Sequence, residues 1–273
     1  MTALEITDLH ADCSRCAALC CVLLPFRREG GFGADKAGGV ACANLLADDR
    51  CGIHDRLGES GWTGCVAFDC FGAGQFVTER TYAGRSWRGG SADVGEMGAV
   101  LTVQRLLHEM LHHLAEVDLR APDPEAAGLA ERVNGLRALD PEALLGIDLD
   151  ELHDEVGRSL RSASLRIRTP AGTELAYADL AGADLRDRDL CNADLRGATL
   201  IGADLRGQAL RGADLLGADL RGADLRATDL ADALFVTAAQ LGGSRGDRTT
   251  TIAAWLRRPE RWESPQIRDE SGM

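Results

Sequence analysis

Hydrophobic positions recur every five residues in the C-terminal half of the chain. Leucine occupies twelve of them in succession, and Phe235 holds the next: Leu175, Leu180, Leu185, Leu190, Leu195, Leu200, Leu205, Leu210, Leu215, Leu220, Leu225 and Leu230. Neither the 3.6-residue period of an α-helix nor the two-residue period of a β-strand divides five. The pattern therefore predicts a repeat architecture, in which each unit buries its leucine by stacking on its neighbours.

The residues before each leucine repeat as well, mostly as alanine two places before it and aspartate one place before it. This A-D-L-x-x text resembles the pentapeptide-repeat family. The resemblance implies a right-handed quadrilateral β-helix of about three coils over residues 169–237, with one pentapeptide on each side. It also implies that the leucine and the small residue point inward. Arg188 and Gln208 stand in the small position, where we expect local disturbance of the interior.

Arginine and aspartate alternate on one predicted side of this β-helix. If four pentapeptides make one coil, residues twenty apart in sequence stack above one another. Arg186, Arg206 and Arg226 then form one row, flanked by Asp184, Asp204 and Asp224. We expect a nearly neutral, solvated face, because exposed ion pairs of this kind contribute little and are common.

A helical period precedes the repeats, over residues 91–168. Val103, Leu107, Met110, Leu111, Leu114 and Val117 follow three-to-four spacing, which predicts an amphipathic helix from Asp93 to about Arg120. Further short helices are expected, broken at Asp140-Pro141 and near Gly146. This segment is interpreted as a helical connector within a multidomain α+β chain. Residues 1–90 form a cysteine-rich domain before it, and residues 238–273 a cap and tail after the repeats.

Eight of the nine cysteines fall in residues 13–70, in a glycine-rich segment without a long periodic apolar run. Such a segment buries little core and requires a covalent or metal staple. The N-terminus shows no basic region followed by an apolar run, and no window approaches eighteen apolar residues, so we expect a cytoplasmic protein without membrane insertion. Thiols stay reduced in the cytoplasm, which favours metal ligation over disulfides.

The cysteine spacing, C-x2-C-x3-C-C followed by four later cysteines, resembles the YkgJ-like family of zinc- or iron-chelating proteins. A similar pattern occurs in flagellin lysine methylases, which are linked to an iron–sulfur cluster. Here His54 replaces the aromatic residue of that pattern. The candidate metal ligands are Cys13, Cys16, Cys20, Cys21, Cys42, Cys51, Cys65 and Cys70, with His54 as a further candidate. Two four-cysteine zinc sites, one [4Fe–4S] cluster with a zinc site, or one cluster with spare thiols are all compatible with eight thiolates.

A second pattern, HExxH, occurs at His108, Glu109 and His112. On a helix it places two imidazoles one turn apart to hold zinc, with the glutamate as general base. The apolar stripe of the predicted helix lies elsewhere on the helical wheel, so we expect these residues to form a polar face toward the rim or solvent. Cys191 follows a repeat leucine and is expected to be a surface thiol. No catalytic residues are assigned.

Charge and motif content leave three functions. The formal charge is −13 with a pI near 4.9, which argues against direct nucleic-acid binding, since that affinity comes from Lys and Arg. The first function is a metal-binding scaffold for a protein partner, with a homodimer allowed. The second is an enzyme or accessory factor that uses the metal centre for chemistry. The third is a DNA mimic acting on a type II topoisomerase, which a rod of about 15 Å disfavours.

Overall fold

Short helices separated by loops make up the cysteine-rich N-terminal segment. The computed structural model describes residues 4–263, and the chain divides after Ala163 into two compact units. The first α-helices are α1 (Leu19–Leu23), α2 (Thr63–Val66) and α3 (Ala73–Phe76), and a π-helical turn over Val77–Thr81 continues α3. Single turns of 3₁₀-helix cover Ile6–Leu9, Cys13–Arg15, Arg28–Gly30, His54–Arg56 and Arg88–Gly90. Antiparallel bridges join Phe26 to Lys36 and Leu45 to Cys51.

Helix α4 (Val94–Arg120) is the longest element of the first unit and confirms the predicted amphipathic helix. It begins where the Asp93 side chain accepts a hydrogen bond from the Glu96 backbone N–H, which satisfies a helix-terminal donor. Helices α5 (Pro124–Leu136), α6 (Pro141–Leu145) and α7 (Leu149–Ile167) follow. The break at Asp140-Pro141 lies where it was expected, because aspartate caps the helix and proline suits its first turn. Within residues 4–263, no helix combines the length and the apolar character that a membrane crossing requires.

Helix α4 is buried on more sides than its sequence pattern predicts. Helices α5 and α6 pack against it, and so do α1, α3 and the Ile6–Leu9 turn. His108 and His112 are consequently only 1% and 3% exposed. The prediction that these histidines face the rim or solvent is wrong, because the helical wheel reports only the apolar stripe and not what covers the rest of the helix. Glu109 is partly exposed and pairs with Arg105 at 3.0 Å.

The repeats of the second unit stack as a β-helix. Parallel bridges pair residues twenty apart, as in Asp184 with Asp204 and Asp204 with Asp224. The leucines and alanines from Leu185 onward form one continuous buried cluster, with Leu175 and Leu180 partly buried at its start. The residue two places after each leucine repeatedly adopts a left-handed conformation, and glycine fills most of these positions, as at Gly202 and Gly217.

The two residues that depart from the small-residue pattern behave differently from each other. Arg188 is exposed, so its charge stays outside the core. Gln208 is buried, and its side-chain amide donates a hydrogen bond to the Arg186 carbonyl. The interior therefore accommodates Gln208 by pairing its polar group with backbone.

The predicted rows of arginine and aspartate are present on the surface of the β-helix. Arg186 pairs with Asp184 at 2.7 Å and with Asp204 of the next coil at 3.4 Å. Arg206 pairs with Asp204 at 2.6 Å, and Arg226 pairs with its own aspartate in the same way. The neighbouring Arg186 guanidinium lowers the pKa of Asp184 to about 2. This face is therefore charge-neutralised along its length.

The chain after the last leucine packs onto the same core. Strand β1 (Asp229–Leu230) pairs in parallel with β2 (Thr251–Ile252), and α8 (Ala238–Gly243) lies between them in sequence. Leu241 and Trp262 join the cluster of repeat leucines. A cap of this kind covers the end of the stacked coils. The last part of the predicted cap and tail, residues 264–273, lies outside the described residues.

Candidate metal centre

Four cysteines from distant parts of the chain line one cavity. Cys13, Cys16, Cys20 and Cys70, called here the first cysteine group, share it with Asp12, Gly74, Gln75 and Leu101. Cys13 lies in a 3₁₀ turn and Cys20 in α1, whereas Cys70 lies three positions before the first residue of α3. The cavity thus joins the start of the cysteine-rich segment to its end.

Two polar side chains hold the loop that carries this group. The Gln75 side chain accepts a hydrogen bond from the Asp12 backbone N–H at 3.1 Å and donates one to the His10 carbonyl at 2.8 Å. The Thr78 hydroxyl accepts one from the Ala17 N–H at 3.0 Å. These bonds pin the segment around Cys13 and Cys16 to α3 and the turn after it. Sequence patterns missed both residues, because neither belongs to a recognised motif.

Gly74 provides the space for this arrangement. A Cβ added to it would lie 2.9 Å from the Cys16 Sγ and 3.7 Å from the Cys70 Sγ. We expect Gly74→Ala to push these sulfur atoms apart and to weaken metal binding by the first cysteine group, measured as the dissociation constant for Co²⁺. Gly128→Ala is the matched control, since Gly128 is exposed on α5 with nothing within 4 Å of the added Cβ. The control should keep the metal affinity and gain about 1 kcal/mol of helix stability. An unchanged Co²⁺ affinity in Gly74→Ala would contradict this role of Gly74.

The other four cysteines of residues 13–70 make up a second group, three of them packed in a small aromatic core. Cys21, Cys42, Cys51 and Cys65 are called here the second cysteine group. The Cys42 N–H donates to the Cys21 carbonyl at 3.0 Å, and Cys51 is held by its bridge to Leu45. Cys21, Cys42 and Cys65 pack in the cluster that contains Phe26 and Trp62. Burial, with the charges of Cys21, Cys42 and Cys51, raises the pKa of Cys65 to about 12.

The two groups meet at the adjacent residues Cys20 and Cys21 of α1. Burial and the charge of Cys70 raise the pKa of Cys13 to about 12, and burial raises that of Cys16 to about 11. A hydrogen bond from Cys20, together with the charge of Lys36, lowers the pKa of Cys21 to about 7. Cys20 in turn has a raised pKa, because its thiol donates that hydrogen bond. Thiols crowded in this way would exchange their protons for a cation that neutralises several of them at once.

The chemistry of the donors fits a thiophilic metal. All nine cysteines are free thiols. Four thiolates suit zinc or an iron–sulfur cluster. Within residues 4–263, no three His, Cys, Asp or Glu side chains stand at the spacing of a formed metal site. Metal binding therefore requires the sulfur atoms of each group to move closer together.

The other residues considered as ligands from the sequence do not line the cavity of the first cysteine group. His54 is exposed in the 3₁₀ turn after Cys51. Cys191 is partly exposed in the β-helix, where its thiol lies 3.5 Å from the Ala209 carbonyl. His108 Nδ1 lies 2.8 Å from the carbonyl of Phe71, directly after Cys70. The histidines of α4 thus support the chain segment that carries Cys70.

Comparison with known proteins bears first on the second unit. The family profile described as Pentapeptide repeats matches residues 173–215 and 209–238, in eight copies. This segment consists of pentapeptide repeats. The chain is also similar to a solved structure, a pentapeptide repeat protein from the Arabidopsis thaliana thylakoid lumen. The similarity has 28% identity over 30% of this chain and 57% of that one, with a TM-score of 0.26.

A longer similarity extends beyond the pentapeptide-repeat segment. The Bacillus subtilis protein named Uncharacterized protein YybG is 40% identical over 168 residues, which is 60% of this chain. The match also spans 60% of the length of that relative. Since the repeats matched by the family profile occupy residues 173–238, the 168 matched residues are more than the repeats alone can supply.

Proposed function

We propose that this protein binds metal through its cysteines and presents the pentapeptide-repeat β-helix to a protein partner. The observation that carries the metal proposal is the cavity lined by Cys13, Cys16, Cys20 and Cys70. Four thiols from two segments about fifty residues apart converge on this cavity, and four is the number of ligands in a structural thiolate site. Reduced thiols are required, so the proposal includes a cytoplasmic location.

The grouping of the cysteines favours two of the three alternatives left open by the sequence. Two groups of four thiolates suit two metal centres, either two zinc ions or one zinc ion and one [4Fe–4S] cluster. A closed four-thiolate site would stabilise the glycine-rich segment, because metal binding then contributes to the free energy of folding. We also propose domain boundaries after residues 90, 168 and 237, which separate the cysteine-rich domain, the helical connector, the β-helix and the cap.

The β-helix supports the scaffold part of the proposal. Pairing between residues twenty apart supports four pentapeptides per coil, in the right-handed quadrilateral form that we propose. Stacked coils give a rigid surface with regularly spaced side chains, which suits binding to another macromolecule. We propose a protein as that partner, either a different protein or a second copy of this chain.

The two other functions have less support. A catalytic zinc centre needs an open coordination position, which four thiolates would fill, so only an iron–sulfur cluster in one of the groups would support the enzyme function. A topoisomerase-directed DNA mimic needs a continuous acidic stripe, whereas Arg186, Arg206 and Arg226 neutralise the aspartates beside them. We therefore expect no inhibition of supercoiling at micromolar protein.

Anaerobic purification of the full chain with metal and sulfide analysis tests the metal proposal. We expect about two metal centres per chain. Cys16→Ser should lose one of them and destabilise the first unit, because it removes a ligand of the first cysteine group. Cys191→Ser is the matched control and should keep both, since Cys191 lies in the β-helix.

The identity of the bound metal distinguishes the alternatives. Colourless protein with zinc supports two structural sites. Brown protein with iron and inorganic sulfide would favour the enzyme alternative over a purely structural role. Wild-type protein without metal, or Cys16→Ser with a full complement, would overturn the metal proposal.

A further inference from the structure

Lys36 is the single lysine of a chain in which lysine and arginine together number 30. Its backbone is fixed by two hydrogen bonds with Phe26, of 3.1 Å from its N–H and 3.0 Å to its carbonyl. Its ammonium group lies 4.4 Å from the centre of the Phe26 ring. The position is therefore set by both backbone pairing and a cation–π contact.

The ammonium group donates hydrogen bonds to three backbone carbonyls. They belong to Val22 at 3.1 Å, to Leu24, and to Ala37 at 3.3 Å. Val22 and Leu24 lie at the C-terminal end of α1, the helix that carries Cys20 and Cys21. A compact ammonium with three donors can satisfy three converging carbonyls, whereas the planar guanidinium of arginine directs its donors differently.

Lys36 also acts electrostatically on the thiols. Cys42, Cys21 and Cys20 are the groups whose negative charge favours its protonated form, which opposes the effect of burial on its pKa. Two of these three belong to the second cysteine group. The first cysteine group has an acidic neighbour instead, because the charge of Asp12 acts on Cys13.

We infer that Lys36 is a positioning residue that stabilises the metal-bound form of the second cysteine group. This inference rests on the proposed metal binding. Four thiolates around a divalent cation carry a net charge of −2, and a fixed ammonium group beside them offsets part of it. The same residue holds the end of α1 through the Val22 and Leu24 carbonyls, next to Cys21, whose own carbonyl accepts a hydrogen bond from the Cys42 N–H. The first cysteine group shares this compensation only through Cys20 and has the charge of Asp12 beside Cys13, so it releases its metal first.

Co²⁺ titration of the full chain tests this role, because thiolate-to-cobalt absorption reports both affinity and ligand set. We expect Lys36→Met to weaken the tighter of two Co²⁺ sites about tenfold, as removal of one nearby charge implies. The absorption of the loaded protein should stay unchanged, which a merely structural loss of ligands would not allow. Lys36→Arg should retain part of the affinity because it keeps the charge. Arg28→Met is the matched control, since Arg28 is an exposed cation of the same loop.

The outcomes separate this inference from the metal proposal. Wild-type protein that binds no Co²⁺ overturns both. Wild-type protein that binds two equivalents, with unchanged affinities in Lys36→Met, overturns only the role of Lys36. Equal weakening of both sites, or equal losses in Lys36→Met and Lys36→Arg, would also contradict it, because the effect would then be structural and not due to charge.

Discussion

Asp214→Ala should destabilise the pentapeptide-repeat unit by about 3–5 kcal/mol. Asp214 is fully buried, and its carboxylate lies 2.6 Å from the guanidinium of Arg196, whose side chain is 7% exposed. The carboxylate also accepts a hydrogen bond from the Leu216 N–H at 3.0 Å. Removing it leaves a buried arginine without its counter-charge, and the desolvation of that charge is no longer compensated. Urea unfolding of the full chain, followed for the second unit, measures the loss.

The chain contains a matched control for this pair. Asp219 and Arg221 stand at equivalent repeat positions and also lie 2.6 Å apart, but the Arg221 side chain is 70% exposed. Asp219→Ala should therefore cost at most about 1 kcal/mol. Similar losses of unfolding free energy in the two variants would contradict the prediction that burial sets the size of the effect. The double variant Asp214→Ala, Arg196→Met should be more stable than Asp214→Ala alone, because no uncompensated charge remains.

Acid should destabilise the first unit between about pH 6.5 and pH 4, through two buried histidines. Burial lowers the pKa of His108 and of His112 from 6.5 to about 4. The unfolded chain thus binds protons in this window that the folded chain does not, so the stabilisation present above pH 6.5 is lost as pH falls. Each histidine accounts for about 3 kcal/mol at the lower end.

His112→Leu provides the sharper measurement. Among the described residues, neither ring nitrogen of His112 has a hydrogen-bond partner. The centre of its ring lies 5.3 Å from the centre of the Phe71 ring. Leucine would remove both unpaired polar atoms, so this variant should match or exceed wild-type stability at pH 7 and exceed it clearly at pH 5. His153→Leu removes an exposed histidine of α7 and should leave the pH dependence unchanged. If the stability of His112→Leu fell with pH as steeply as that of the wild type, His112 would not be a source of the acid destabilisation.

Local patterns predicted the regular elements well. The five-residue period predicted a stacked repeat architecture, because every repeat places the same residue types at the same turn, and the resemblance to the pentapeptide-repeat family implied that this architecture is a β-helix. The start of α4 at Asp93 and the break at Asp140-Pro141 follow from capping and proline geometry, which depend on only a few neighbouring residues. Such features require no knowledge of the rest of the fold.

The candidate metal ligands were chosen from spacing, but spacing could not group them. Cys20 and Cys21 are adjacent in sequence and belong to different groups, because successive residues of α1 point in different directions. Cys70 belongs to the first group only because the chain folds so that the segment before α3 lies next to Cys13 and Cys16. The role of Gln75 and Thr78 in holding the opposite loop depends on the same long-range contacts.

The sequence by itself determined the repeat segment, its neutralised arginine and aspartate rows, the long helix and the set of candidate thiols. Each of these follows from periodicity, capping or residue type within a short window. Only the tertiary structure decided that His108 and His112 are buried, that Arg196 and Asp214 form a pair excluded from water, and that Lys36 stands beside the second cysteine group. Burial and electrostatic contact depend on which distant segments cover a residue, and no local pattern encodes that.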